Sequence, residues 1–206
     1  MTQNIYDDAG FFAGYARLRR SVDGLDGAPE WQTVRAMLPE MAGRRVVDLG
    51  CGFGWFCRWA REAGAAEVLG LDVSANMLAR ARETTSDPAI TYRQADLETL
   101  ELPAGSFDLA YSSLTLHYLE NLAGPFAMVR RALVPGGSFV FSAEHPLYTE
   151  PGPDYLDEGP RTTDWLTEGV VKQHRTLATY LNLLIAAGFA IRRVEEWGPT
   201  REEIAA

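Results

Sequence analysis

One stretch constrains this chain more than any other: Val46-Val47-Asp48-Leu49-Gly50-Cys51-Gly52-Phe53-Gly54-Trp55. An apolar run stops at an acid and opens into three glycines, which predicts a short buried strand, a tight turn and the start of a helix. Glycine takes positive φ without a steric cost and lets a ligand approach the backbone. The free N–H groups at the start of the next helix face such a ligand. The stretch therefore reads as a nucleotide-type cradle at the carboxyl end of a strand.

Two residues bear on which nucleotide it takes. A dinucleotide fingerprint has glycine or alanine at its last position, where helix and strand pack closely, and here that position is Trp55. Asp48 would repel a pyrophosphate and attract a cationic ligand such as S-adenosylmethionine, which carries a sulfonium and an ammonium. Val47-Asp48-Leu49-Gly50-Cys51-Gly52-Phe53-Gly54 resembles the first motif of the Rossmann-like (class I) S-adenosylmethionine-dependent methyltransferases. The rival reading, a nicotinamide-dependent oxidoreductase, is permitted by the glycines and opposed by Asp48 and Trp55.

The balance of acids to bases removes other classes. The 206 residues carry 28 acids against 19 bases, a formal charge of −9, and Lys172 is the single lysine. No basic stripe exists to follow a phosphate backbone, so nucleic acid is not the expected substrate. No apolar run reaches the ~20 residues of a membrane span, and the N-terminus lacks the basic and apolar regions of a signal peptide. The expectation is a cytoplasmic protein, monomeric or homodimeric, with no membrane partner. Cys51 and Cys57 make no disulfide framework, and no histidine spacing completes a metal site.

Strands and helices alternate along the chain. Residues Tyr6 to Arg20 predict a short amphipathic helix, and Pro29 to Leu38 a second one that packs Trp31 on the sheet. A helix from Trp55 to Ala63 follows the glycines. The strand Glu67 to Leu71 ends at Asp72, and Ser74 caps the helix Ala75 to Glu83, with Met77 on its first turn. Ile90 to Gln94 is a third strand, closed by Ala95-Asp96-Leu97; Phe107 to Tyr111 is a fourth, and Ser138 to Ala143 a fifth. Tyr148 to Pro160 reads as a loop, Leu177 to Ile185 as a helix stopped by Gly188, and Phe189 to Trp197 as a sixth strand. This order predicts an α/β fold with a doubly wound, mostly parallel sheet and helices on both faces. The expected organisation is a single domain, with a helical cap over 1–42, a cofactor-binding core over 43–143, and a substrate-side loop, helix and last strand over 144–206.

The resemblance to methyltransferases extends from the glycine motif through Asp72, Asp96-Leu97, the fourth strand and Leu133-Val134-Pro135-Gly136-Gly137. Such enzymes usually finish with a seventh, antiparallel strand. Thr200 to Ala206 has no strand pattern, so either the chain is truncated or its sheet is completed differently. The resemblance implies S-adenosylmethionine as cofactor and S-adenosylhomocysteine as product. It implies Asp48, Gly50, Cys51, Gly52, Asp72, Val73, Met77, Asp96, Leu97 and Ser113 at the cofactor, with Gly50 and Gly52 on the methionine part, Asp72 on the ribose hydroxyls, and Asp96 and Leu97 on adenine.

The chemistry expected is in-line transfer of a methyl group to an O, N or C nucleophile of a small molecule. His117 and His145, near the ends of strands four and five, are the candidate catalytic residues: His117 either accepts a proton, because histidine titrates near neutral pH, or lines the methyl channel. Tyr15, Glu144, Tyr148, His174 and Arg175 are candidate substrate contacts, with Tyr6 and Phe11 beside Tyr15 in an aromatic lid. A protein that holds the cofactor without catalysis is the reading from another class; turnover to S-adenosylhomocysteine separates it from an enzyme.

Overall fold

The computed structural model describes residues 3–149 and 153–198. Its centre is a parallel sheet of β1 (Arg45–Leu49), β2 (Glu67–Asp72), β3 (Ile90–Gln94), β4 (Phe107–Ser113) and β5 (Leu133–Ser142), in the order β3-β2-β1-β4-β5. The chain winds outward from β1 to β3 and then returns to the other side of β1. The carboxyl ends of β1 and β4 thereby form the switch point at which open α/β sheets bind ligands.

Alternation along the strands explains the two cores. Val46 and Val68 face a cluster with Trp31, Phe56, Cys57, Leu109 and Tyr111, whereas Val47, Leu49 and Leu71 face Phe126, Val129, Tyr180 and Leu184. Helices α3 (Trp31–Arg35) and α4 (Trp55–Glu62) supply the first side, and α6 (Ala123–Ala132) and α8 (Leu177–Ala186) the second. Trp31 is buried and lies edge-on to Trp59 at 4.9 Å, the packing role expected of it. Helix α5 (Ala75–Glu83) begins as predicted, with Ser74 Oγ accepting from Met77 N at 3.1 Å. Among the described residues no helix is long and apolar enough to cross a membrane.

Three elements differ from the sequence expectation. Residues Tyr6 to Arg20 do not form one helix but a 3-10 turn (Ile5–Asp7), α1 (Ala9–Tyr15) and the start of α2 (Arg19–Val22). The stretch predicted as loop, 148–160, holds the end of α7 (Pro146–Thr149) and a 3-10 turn (Pro153–Leu156) and leads into an antiparallel hairpin that the pattern did not mark, β6 (Gly159–Thr163) with β7 (Val170–His174). Strand β7 buries Val170, Lys172 and His174 on one face, so two of its three inward residues are polar and the apolar alternation that marks a strand is missing. The predicted sixth strand is absent: residues 189–198 carry no ladder pairing. Past Phe189, which meets Phe139 at 5.7 Å, the segment is exposed and rich in charge, and Arg193 turns back onto Glu195 at 2.8 Å. The final stretch, Thr200 to Ala206, lies outside the described residues.

Candidate active site

A cavity of about 400 Å³ opens over the carboxyl ends of the strands. Because strand ends appear in sheet order, the cavity has two halves. Asp96 follows β3, Asp72 ends β2 and the glycine turn follows β1, whereas Ser113 ends β4 and Glu144 follows β5.

The first half is a cradle. Gly50, Gly52 and Gly54 all have positive φ (81°, 51° and 73°), which makes the turn a glycine-only path. No atom lies within 4 Å of the place a Gly52 side chain would occupy, so that space is open to a ligand. Asp72 braces the turn: its Oδ2 accepts from Gly52 N at 2.8 Å and its Oδ1 from Ser74 N at 2.9 Å. Burial pushes its carboxyl up to about 6, although these two hydrogen bonds pull it down. Val73, Met77, Asp96 and Leu97 complete this wall, and Asp96 uses Oδ1 on Glu98 N at 2.9 Å. An adenosine with two ribose hydroxyls and an exocyclic amine fits such an acceptor set, and the open space above Gly52 accommodates the rest of S-adenosylmethionine.

Two residues of the first motif stand behind the wall rather than on it. Asp48, expected beside the ligand, is 2% exposed and points toward α4, where Cys57 Sγ lies 3.3 Å from its Oδ2. Burial raises it to about 7. Cys51 is also buried and outside the cavity lining, with its thiol held well above its ordinary value by burial. Its contribution is backbone: the N–H groups of Gly50 and Cys51 both donate to Leu71 O at 2.8 Å, fastening the turn to β2. Trp55 points away from the cavity, and its ring fills the space beside Gly24, where a side chain would come within 2.6 Å of it.

The second half is aromatic and contains an ion pair between buried Lys172 and half-buried Glu144. Tyr6 meets Tyr15 at 5.2 Å and Tyr118 at 5.9 Å, and Trp165 from the β6–β7 connection meets Tyr15 at 6.2 Å. Phe11, expected in the same lid, lies fully buried behind Tyr6 and Trp165. The N-terminal segment is tied down at both sides. Asp7 accepts from Ser74 Oγ at 2.6 Å and from Asn76 N at 3.1 Å, and the Gln3 amide exchanges hydrogen bonds with Gly169 O and Val171 N. Lys172 Nζ contacts Glu144 Oε2 at 2.5 Å and lies 5.2 Å above the Trp165 ring. Between the halves, Leu114 holds φ +50°, a conformation costly for a side-chain-bearing residue, and is fixed there by its N–H to Ser142 O at 3.0 Å.

His117 lines the cavity, and of its two expected roles the proton acceptor is the one its surroundings oppose. Burial and the charges of Lys172 and Arg175 lower it to about 3, so the ring is neutral at physiological pH. Its Nδ1 accepts from Glu144 N at 3.3 Å, which puts the ring proton on Nε2, 3.8 Å from Glu144 Oε2. A ring in that state offers an N–H to the cavity and does not take up a proton. Nitrogen-15 NMR is expected to show the Nε2–H tautomer unchanged from pH 5 to 8; a titration in that window would contradict this assignment.

The other expected residues divide. Tyr15, Glu144, Tyr148 and Ser113 line the cavity. His145, His174 and Arg175 do not. His145 Nε2 meets Glu196 at 2.6 Å and its Nδ1 accepts from Leu147 N, so it stabilises the turn and the chain beyond it. His174 is buried between Thr149 Oγ1 and Tyr155 O, both at 2.8 Å. Arg175 donates inward to Leu119 O and Glu120 O, satisfying backbone carbonyls instead of reaching over the pocket. Sequence reasoning missed Arg20, Thr115, Trp165 and Lys172 as lining residues; the singularity of Lys172 in an arginine-rich chain was the one available signal.

Comparison with known proteins agrees with this geometry. A family model described as a methyltransferase domain matches residues 47–141. The crystal structure of an S-adenosylmethionine-dependent methyltransferase from Mesorhizobium loti superposes with a TM-score of 0.84 at 59% identity, covering 88% of this chain and 90% of that one. A trans-aconitate 2-methyltransferase from Deinococcus radiodurans is 34% identical over 75% of this chain and 62% of its own length. A malonyl-[acyl-carrier protein] O-methyltransferase from Enterobacter lignolyticus is 39% identical over 60% of this chain, which spans only 45% of that protein. The glycine cradle, the acids at successive strand ends and these likenesses converge: the chain belongs to the Rossmann-like S-adenosylmethionine-dependent methyltransferases.

Proposed function

We propose that the chain transfers the methyl group of S-adenosylmethionine to an oxygen or nitrogen nucleophile of a small molecule held between the aromatic residues and the Glu144–Lys172 pair. The observation that carries this is the division of one cavity into an acceptor-rich cradle and an aromatic half that holds the Glu144–Lys172 ion pair. Asp72 takes the ribose hydroxyls, Asp96 and Leu97 the adenine, and Gly50 and Gly52 the methionine part. Residues 43–143 form the cofactor-binding core of one domain, with 1–42 as its cap and 144–206 as its substrate side. The two buried free thiols suit a reducing, cytoplasmic setting.

When bound, the cofactor supplies an electrophilic methyl group, so the chain has mainly to align a nucleophile and exclude water. Tyr6, Tyr15, Tyr118 and Trp165 shield the acceptor half from solvent and present flat faces to an apolar or aromatic body. Lys172 holds the Glu144 carboxylate through Oε2, and Oε1 is left to accept the proton of a hydroxyl or amine. His117 accepts from the Glu144 backbone N–H at 3.3 Å and so helps fix the position of that residue. The name of one relative specifies O-methylation, and oxygen is a nucleophile this arrangement serves.

The test is an acceptor panel of small hydroxy, amino and carboxylic compounds, read by S-adenosylhomocysteine release. Glu144→Gln is expected to lower turnover about 10²- to 10⁴-fold, the range for a positioned base, with cofactor affinity within about twofold of the parent. Turnover equal to the parent would remove Glu144 from the mechanism. Cofactor binding without turnover of any acceptor would favour a binding protein.

A further inference from the structure

The amino-acid end of the cofactor carries a carboxylate, and a carboxylate leaving water for a protein cavity needs a cation or several donors. Two cations line this cavity, Arg20 and Lys172. Lys172 is on the β5 side, committed to Glu144 at 2.5 Å. Gln3, another polar group on the wall, has its amide oxygen and nitrogen engaged by the β6–β7 hairpin. Arg20 is in a different state. Its Nη2 contacts both Glu30 oxygens, at 2.9 and 3.0 Å, and its Nε and Nη1 donors take no hydrogen bond among the described residues. The guanidinium is thus held by one corner, with the rest of its fork unused.

Its place along the sheet matches. Arg20 lies close enough to Tyr15, Tyr111 and Tyr118 for its charge to act on their hydroxyls. Tyr111 pairs with Asp48 across β4 and β1, immediately below the glycine turn. A cofactor whose adenosine sits over Asp96 and Asp72 crosses the glycine turn after β1 and brings its amino-acid end toward β4, where Arg20 stands. The side chain is about three-quarters covered, and Glu30, itself 13% exposed, prevents it from swinging into solvent.

We infer that Arg20 binds the methionine carboxylate of the cofactor through its free donors, and that Glu30 is the positioning residue that aims it. The inference rests on the cofactor placement proposed above, and it leaves the Lys172–Glu144 pair to the acceptor.

The experiment compares two ligands on the full chain by calorimetry. S-adenosylhomocysteine has the carboxylate; 5′-methylthioadenosine lacks the amino-acid end and keeps the nucleoside and sulfur. Arg20→Met is expected to weaken S-adenosylhomocysteine binding about ten- to a hundredfold, the value of a hydrogen-bonded charge, and to leave 5′-methylthioadenosine within about twofold of the parent. Retained nucleoside binding also shows that the variant folds. Should Arg20→Met not fold, Arg20→Lys keeps the charge and loses the fork, with an expected loss of about three- to tenfold for S-adenosylhomocysteine alone. Glu30→Gln is expected to produce a smaller loss confined to the same ligand. Unchanged S-adenosylhomocysteine affinity in the Arg20 variant, or equal losses for both ligands, would overturn the assignment. A parent protein that binds neither ligand would bring down the cofactor placement itself.

Discussion

Replacing Gly50 by alanine is expected to remove cofactor binding and to destabilise the fold together. At φ +81° a side chain is strained, at a cost of about 1–2 kcal/mol. The added Cβ would lie 2.5 Å from Thr115 Cγ2 and 2.7 Å from its Cβ, and closer still to Oγ1, so the turn or Thr115 must move, at about 1–3 kcal/mol more. The sum, about 2–5 kcal/mol, corresponds to a melting temperature lower by about 5–15 °C for a chain of this length. Both Gly50 and Thr115 line the cavity, so the same displacement reshapes the cradle, and affinity for S-adenosylhomocysteine is expected to fall more than about a hundredfold. Gly52→Ala is the contrast. Its Cβ meets nothing within 4 Å, so the fold bears only the backbone strain while the methyl group occupies ligand space. Thermal melting and calorimetry on the two variants therefore separate support of the turn from contact with the cofactor. Equal melting temperatures for the two would contradict the role given to Thr115.

Asp72→Ala is expected to weaken S-adenosylhomocysteine by about 10²- to 10⁴-fold, because two ribose hydroxyls lose a charged acceptor worth roughly 1.5–3 kcal/mol each. The pH dependence is a second signature. Burial holds this carboxyl at about 6 in the free protein, above the ordinary aspartate value. The folded state then binds the proton more tightly than the unfolded chain does. Stability from this group is fully present below about pH 4 and is lost as pH rises to 6. The cofactor, which uses the ionised form, has the opposite preference. Parent affinity should rise by up to about tenfold between pH 5 and 7, and Asp72→Asn should flatten most of that rise. Any remainder in the variant reports Asp48, which titrates near 7 behind the wall. Cofactor affinity equal to the parent in Asp72→Ala would end the ribose assignment.

What could be read in the sequence was local. The glycine turn, Asp72 at the end of β2, the Ser74 cap and the strand Ile90–Gln94 are each fixed by residues within one turn or strand of each other, and all stand where the pattern put them. Two kinds of feature were not legible. Strand β7 turns Lys172 and His174 inward, so polarity and burial part company there and the hairpin beyond the predicted loop went unread. The segment after Gly188 has the composition of a strand, but pairing needs a neighbour that composition does not supply. The candidate site followed the same division. The half lined by consecutive βα units was named nearly in full as cavity lining, and two residues named with it, Asp48 and Cys51, turn their side chains inward instead. Its acceptor half joins Tyr6, Tyr118, Glu144, Trp165 and Lys172 from distant parts of the chain. Adjacency to strand ends suggested His145, His174 and Arg175 instead, and all three are engaged by turn or backbone partners outside the cavity.

The measurement that bears most directly on this account is a calorimetric titration of the parent protein with S-adenosylhomocysteine and, in parallel, with NADH, each followed by thermal melting. The cradle described here predicts one saturable site for S-adenosylhomocysteine. At a hundredfold excess over its dissociation constant it should add about 2.7 kcal/mol, a rise of roughly 5–10 °C in melting temperature. NADH should produce no binding heat and no shift. Saturable NADH binding with none for S-adenosylhomocysteine would contradict the assignment of the glycine turn, Asp72 and Asp96 to a sulfonium cofactor.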